Sequence, residues 1–263
     1  MKLLNIILLA AFTISITSCK ENTSNETKTT TEDVKEEKAK KSNFEIYPVS
    51  HATMVLKWDD NAIYIDPVGG PENFDLYDAP DLILITDIHG DHLNVNTVQG
   101  ILTESTKIIA PQAVVDKLPE DLQKITTVLS NDNSLMKNGF DITAIPMYNL
   151  REEALKFHSK GRGNGYVIEK DDKRVYISGD TEDIPEMRNL ANIDIAFVCM
   201  NLPYTMTVES AASAVLDFKP ETVFPYHYRG TEGLSDVSKF KALVNKGDSS
   251  INVAQLDWYP TVE

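Results

Sequence analysis

The stretch Leu82–His92 restricts the fold of this chain more than any other. Leu82 to Thr86 reads LILIT, a short continuous apolar run of the kind that forms a buried strand. Asp87-Ile88-His89-Gly90-Asp91-His92 follows at once. Four potential metal ligands therefore leave a buried strand on one loop, ahead of a helix expected to start near Asn94 or Asn96. A loop after a strand can aim several side chains at one point. Imidazole nitrogen and carboxylate oxygen are donors suited to zinc, manganese or iron. A solvated charge run would not normally hold two of the chain's five histidines.

The surrounding sequence alternates strand and helix signals. Thr53–Trp58 and Ala62–Ile65 read as strands joined by Asp59-Asp60-Asn61. Lys107–Ala110, Ile125–Leu129, Leu135–Lys137 and Phe140–Ile145 follow, with Asn138-Gly139 as a hairpin signal. Tyr166–Glu169 and Val175–Ile177 form a second hairpin. Helices are expected over Glu182–Leu190, Val208–Phe218 and Leu234–Asn245, between strands at Ile195–Val198, Thr222–Tyr226 and Asn252–Leu256. Hairpins mixed with helical crossovers predict a layered α/β (α+β) domain.

The N-terminus carries an address. Lys2 followed by the apolar Leu3–Ile16 has the form of a signal peptide over residues 1–18, too short and polar for a comfortable membrane span. Small residues before Cys19 resemble a bacterial lipoprotein signal, which would lipidate Cys19 and tether the protein to the cell envelope. Residues 19–43 then read as a disordered tether, and 44–263 as the folded domain. Of the chain's 25 basic and 40 acidic residues, 18 and 34 lie after Asn43, so the acidity belongs to the domain. A net charge of −15 argues against nucleic acid or an anionic membrane as partner. The expected partner is a small-molecule substrate, with membrane contact through the anchor alone. Two cysteines offer no disulfide framework, and Cys199 in an apolar run reads as a core thiol. No G-x-S-x-G elbow, Walker A loop or dinucleotide fingerprint is present.

The remaining histidines all fall at strand or loop boundaries. His227 ends the strand Thr222–Tyr226, His158 precedes Gly161-Arg162-Gly163-Asn164-Gly165, and His51 opens the first strand. Asp180 ends another strand in Ser178-Gly179-Asp180-Thr181. The glycine-rich run reads as a flexible rim that touches substrate through Arg162.

These residues resemble the metallo-β-lactamase superfamily. Its signature is His-x-His-x-Asp-His after a buried strand, then a middle histidine, a Gly-Asp pair and a late histidine. Here Asp87-x-His89-x-Asp91-His92, Gly179-Asp180 and His227 follow in that order. His51-Ala52-Thr53, Ile65-Asp66-Pro67, Pro185-Glu186-Met187 and Tyr204-Thr205-Met206 add a likeness to the branch with L-ascorbate 6-phosphate lactonase and N-acyl-phosphatidylethanolamine phospholipase D. The resemblance implies a four-layer αββα sandwich with the site at the sheet edges. It implies two divalent metal ions, zinc first, with manganese or iron as alternatives. His89 would hold one ion, Asp91, His92 and His227 the other, and Asp180 would bridge them.

Two positions depart from the signature. Asp87 stands where the first histidine belongs, and an extra negative oxygen donor favours harder ions. Asn149 stands three residues after Pro146, where the middle histidine often falls; His158 is the candidate to replace it, and Asn149 a substrate contact. Asp66 is expected to turn the chain and to brace a ligand. The resemblance implies a hydrolase in which a metal-bound hydroxide attacks an ester, lactone, amide or phosphodiester. Asp91 would orient that hydroxide, and His227 or His51 would deliver a proton to the leaving group. The competing reading is a lipid-anchored binding protein that keeps the fold and one structural metal.

Overall fold

The computed structural model describes residues 43–259. The segment expected to be a signal peptide, the expected lipidation site Cys19 and all of the expected tether but Asn43 lie outside the described residues. Among the described residues no helix is long and apolar enough to cross a membrane.

Two sheets stack face to face. The first has six strands in sequential order: β1 (Phe44–Ser50), β2 (Thr53–Trp58), β3 (Asn61–Ile65), β4 (Leu82–Leu84), β5 (Lys107–Ala110) and β6 (Thr126–Val128). β1 to β3 form an antiparallel meander, and β3 to β6 run parallel. Parallel neighbours need crossovers, supplied here by α1 (Val95–Ile101) after β4 and by α2 (Gln112–Val115) and α3 (Glu120–Ile125) after β5.

The second sheet begins with the antiparallel strands β7 (Ser134–Lys137), β8 (Phe140–Met147), β9 (Gly163–Lys170) and β10 (Lys173–Ile177). It continues in parallel through β11 (Ile195–Cys199), β12 (Thr222–Tyr226) and β15 (Asn252–Val253). The intervening crossovers hold α4 (Pro185–Arg188), α5 (Val208–Phe218) and α6 (Val237–Gly247). A small hairpin of β13 (Arg229–Gly230) and β14 (Gly233–Leu234) precedes α6.

Side-chain alternation builds the layers. Met54, Leu56 and Trp58 of β2 pack into one cluster with Phe140, Ile142 and Tyr166 of the second sheet. Val55, Ala62 and Tyr64 point the opposite way, against Val98, Val114 and Leu122 of the helices. This is the period of two expected of strands covered on both faces. Burying each large side chain contributes about 1.5–3 kcal/mol. The arrangement is the αββα sandwich that the resemblance implied.

Several local expectations change. The LILIT ladder stops at Leu84, because Thr86 turns its backbone N–H to Asp66 Oδ1 at 2.7 Å. α4 is shorter than expected, since it begins at Pro185, which has no N–H to extend a preceding turn. α6 starts later than Leu234 because the side chain of Asp236 caps it, accepting from Lys239 N at 2.8 Å. The last strand covers only Asn252–Val253. Asn138 and Gly139 both adopt positive φ, 51° and 81°, as the hairpin signal requires.

Most of the run Gly161–Gly165 is strand rather than rim; Gly161 alone is exposed. Gly163 to Gly165 open β9 and are buried. A Cβ on Gly165 would lie 2.8 Å from Ser178 O, and one on Gly163 2.9 Å from Thr86 O. Glycine is present there so that the backbone of β9 can approach both neighbouring segments closely.

Candidate metal centre

The chemistry-bearing residues meet beyond the C-terminal ends of the parallel strands, the end where α/β sheets place their sites. The loop after β4 brings Asp87, His89, Asp91 and His92. The turn after β10 brings Asp180, and the end of β12 brings His227. His158 and Asn149 come from the segment between β8 and β9, and His51 from the β1–β2 turn.

Two groups of donors result. Asp87, His89 and His158 form one; His92, Asp180 and His227 form another, and Asp91 lies beside it with His51 and His227. His92 Nε2 stands 3.2 Å from His227 Nε2 and 3.4 Å from Asp180 Oδ2. His227 Nε2 is 3.1 Å from Asp180 Oδ1 and 3.5 Å from Asp91 Oδ2. His158 Nε2 is 3.2 Å from Asp180 Oδ2. His89 Nδ1 is 2.8 Å from Asp87 Oδ2, which lies 3.9 Å from His158 Nε2. Asp180 Oδ2 therefore sits between the two groups.

The donor set fits divalent cations. Bonds of about 2.0–2.2 Å to a tetrahedral ion leave its donors roughly 3.3 Å apart, close to the 3.1–3.4 Å among His92, Asp180 and His227. His158 Nε2 and Asp180 Oδ1 are buried without a hydrogen-bond partner, although each faces other lone pairs. An orphaned buried acceptor is costly unless a cation or a proton satisfies it.

Outer contacts aim the candidate ligands. His92 Nδ1 lies 2.8 Å from Asp66 Oδ2, whose carboxylate also accepts from the Thr86 N–H and hydroxyl. Donation from Nδ1 to Asp66 leaves Nε2 of His92 as the free donor. Asp66 is fully buried, so its bracing role is structural as well as chemical. Asn149 is enclosed: its amide donates to Ala154 O and Tyr204 O at 2.8 and 2.7 Å, and its Oδ1 faces His158 Nδ1 at 3.4 Å. Tyr204 O also lies 3.2 Å from that Nδ1. Asn149 thus orients His158.

Arg162 forks onto Asp87. Its Nε and Nη2 donate to Oδ1 and Oδ2 at 3.1 and 2.8 Å. The negative charge that Asp87 brings in place of a histidine is thereby paired inside the protein.

The charges set the protonation of the centre. Burial opposes ionisation of Asp180, but His227 and His92 outweigh it and hold the carboxyl well below its usual range. Burial likewise opposes ionisation of Asp91; hydrogen bonds from His227 and His51 override it and keep that carboxyl low. Burial works against a charged His92, yet Asp180 and Asp66 push its proton affinity well above the ordinary histidine value. Burial raises the Cys199 thiol to about 12, in keeping with a core residue.

A pocket of about 300 Å³ opens on this centre, lined by His89, Asp91, His158 and Asp180 with Phe157, Asn201 and Tyr204. The sequence carried no signal for Phe157 or Asn201. Both lie in segments without a motif, and only the chain's path brings them here.

A cluster of histidine and carboxylate donors at the sheet edges of an αββα sandwich defines a class of metal-dependent hydrolases. The family model of the beta-lactamase superfamily domain matches residues 45–227, and the chain belongs to that superfamily. A metal-dependent hydrolase of Pyrococcus abyssi is 30% identical over 209 residues, covering 74% of this chain and 90% of that protein. A metal-dependent hydrolase of Thermococcus onnurineus is 34% identical over 169 residues, or 62% of this chain and 74% of that protein. Among solved structures, a metal-dependent hydrolase from Parabacteroides distasonis superposes with a TM-score of 0.73 at 38% identity, covering 81% of this chain and 93% of that one. The protein is a metal-dependent hydrolase of the metallo-β-lactamase fold.

Proposed function

We propose that the centre holds two divalent cations and hydrolyses an ester, lactone, amide or phosphodiester bond of a small molecule. The observation that carries this reading is the position of Asp180, whose carboxylate faces His158 on one side and His92 and His227 on the other. Asp87, His89 and His158 would hold one ion with Asp180, and Asp91, His92 and His227 the other. When bound, two such ions supply Lewis-acid charge that acidifies water and polarises the scissile bond.

The chain's own groups do the rest. Asp66 fixes the ring of His92, and Asn149 with Tyr204 O fixes that of His158, so neither ligand must reorganise. Asp91, half-exposed to the pocket, faces His51 Nε2 at 3.4 Å and can take up or orient a proton at Oδ2. His227 presents Nε2 to the ligand set, which leaves His51, beside Asp91, as the group that can exchange a proton there. Phe157 and Tyr204, ring centroids 5.0 Å apart, form an aromatic wall. Asn201 accepts from the Thr205 hydroxyl through Oδ1, leaving its amide hydrogens for substrate. The 300 Å³ pocket suits a small molecule rather than a polymer.

Zinc is the first choice of metal. The charge argument for manganese or iron weakens because Arg162 offsets Asp87. Elemental analysis of chain purified without chelators tests the reading. About two equivalents, with turnover on at least one member of an ester, lactone, amide and phosphodiester panel, is the expected result. One equivalent would mean that the Arg162–Asp87 pair closes the first site. No turnover by folded, metal-loaded protein across the panel would overturn the proposed bond classes.

A further inference from the structure

Tyr259 lies far from the metal-ligand motifs in sequence, yet its hydroxyl reaches the edge of the centre. That oxygen accepts two backbone N–H groups, from Tyr228 at 3.0 Å and Arg229 at 2.9 Å. It also lies 2.8 Å from His51 Nδ1. A phenolic oxygen has two acceptor positions and one hydrogen to donate. With both acceptor positions taken by N–H donors, the hydroxyl hydrogen is left for His51 Nδ1. A histidine bearing hydrogen on Nδ1 would bring a third donor to the same oxygen and leave the phenol hydrogen without this acceptor.

We infer that Tyr259 is a positioning residue that locks His51 in the Nε2–H tautomer, so that His51 presents a donor to Asp91 and is not itself a metal ligand. The inference rests on the proposed metal centre for its functional meaning, but the tautomer follows from the hydrogen-bond geometry alone. His51 Nε2 faces Asp91 Oδ2 at 3.4 Å, so the tautomer decides whether that atom offers a hydrogen or a lone pair. His51, Asp91 and His227 could otherwise be read as a third set of ligands.

The surroundings hold the arrangement in place. The guanidinium of Arg229 sits 4.1 Å above the Tyr259 ring, and the Tyr228 ring meets it edge-on with centroids 4.9 Å apart. His51 and His227 both adopt left-handed φ, 53° and 47°. His227 N donates to His51 O at 3.2 Å, and His51 N donates to Trp258 O at 3.1 Å. Such conformations are unfavourable for residues with a Cβ and persist where neighbours over-determine them. The β1–β2 turn, the end of β12 and the segment around Trp258 and Tyr259 are thereby joined at one histidine.

Nitrogen-15 spectra of histidine-labelled full chain, free of metal and loaded with zinc, test this, with His51→Gln to assign the resonance. The expected result is a protonated Nε2 and a bare Nδ1 at His51 in both states. Tyr259→Phe should shift the tautomer ratio at least about tenfold, while zinc stoichiometry stays unchanged. His51→Gln should also leave the zinc count unchanged. A proton on Nδ1 in the unsubstituted protein would overturn the inference. So would loss of the Nε2 proton on zinc loading, which would make His51 a ligand. An unaltered ratio in folded Tyr259→Phe would remove the role of Tyr259; if that variant does not fold, the spectrum of the unsubstituted chain still decides the tautomer. Failure of zinc to move the His92, His158 and His227 resonances would count against the metal centre, and the metal-free spectrum would still report on Tyr259.

Discussion

Asp66 shows how a residue that binds nothing can govern a metal centre. Its two oxygens take two bonds from Thr86 and one from His92, so the carboxylate cannot turn without losing all three. Asp66→Asn keeps the volume but puts an amide where His92 Nδ1–H needs an acceptor. Zinc affinity should fall roughly 10- to 100-fold, measured by calorimetric titration, with the fold retained. An unchanged affinity would show that His92 needs no brace. Arg162 works in the opposite sense: it restrains Asp87 and neutralises its charge, so an aspartate at a histidine position does not simply add a negative ligand.

The turn after β10 joins a backbone requirement to a ligand. Gly179 has φ 59°, and a Cβ there would lie 2.5 Å from Met147 Sδ and 3.1 Å from Asn164 O. Gly179→Ala should destabilise the fold by about 1–3 kcal/mol in urea unfolding, and should lower metal content because Asp180 follows directly. Gly139→Ala is the control. Its φ of 81° is also left-handed, but no atom lies within 4 Å of the added Cβ. It should cost only about 1–2 kcal/mol and leave metal content unchanged. Equal metal loss in both variants would separate the Asp180 geometry from the Gly179 contacts.

At the scale of the whole molecule, the proposed centre ties the two sheets together, since its candidate ligands come from the ends of strands in both. Metal binding and stability are therefore linked. In metal-free protein the raised proton affinities of His92 and His227 stabilise the fold below the ordinary histidine range. That contribution is lost as pH rises through their raised values. Asp180 and Asp91, held below the ordinary carboxylate range, stay ionised until strongly acidic pH. Zinc must displace the histidine protons, so its effect on Tm at a fixed excess should be small in mildly acidic buffer and grow as pH rises. Calorimetric scans with and without chelator check this; a gain independent of pH would show that these histidines are not the ligands.

The sequence by itself determined the layered class, most strand positions and the cluster of candidate donors Asp87, His89, Asp91 and His92; Asp180 and His227 joined them through the family resemblance. It could do so because a buried strand and the loop after it are local features, and local spacing aims neighbouring side chains together. The resemblance then supplied the αββα arrangement. What only the tertiary structure decided depends on contacts between distant segments. Arg162 was expected to face substrate but grips Asp87, 75 residues away in sequence. Asn149 orients His158 because β8 ends where the chain returns toward β9. Gly163 and Gly165 at the start of β9 are packing requirements rather than a rim, since the neighbouring backbones lie against them. Tyr259 could not be linked to His51, 208 residues earlier, until β1 and the final segment were brought side by side. Periodicity records which face of an element is buried; which partner meets that face is settled only when the layers close.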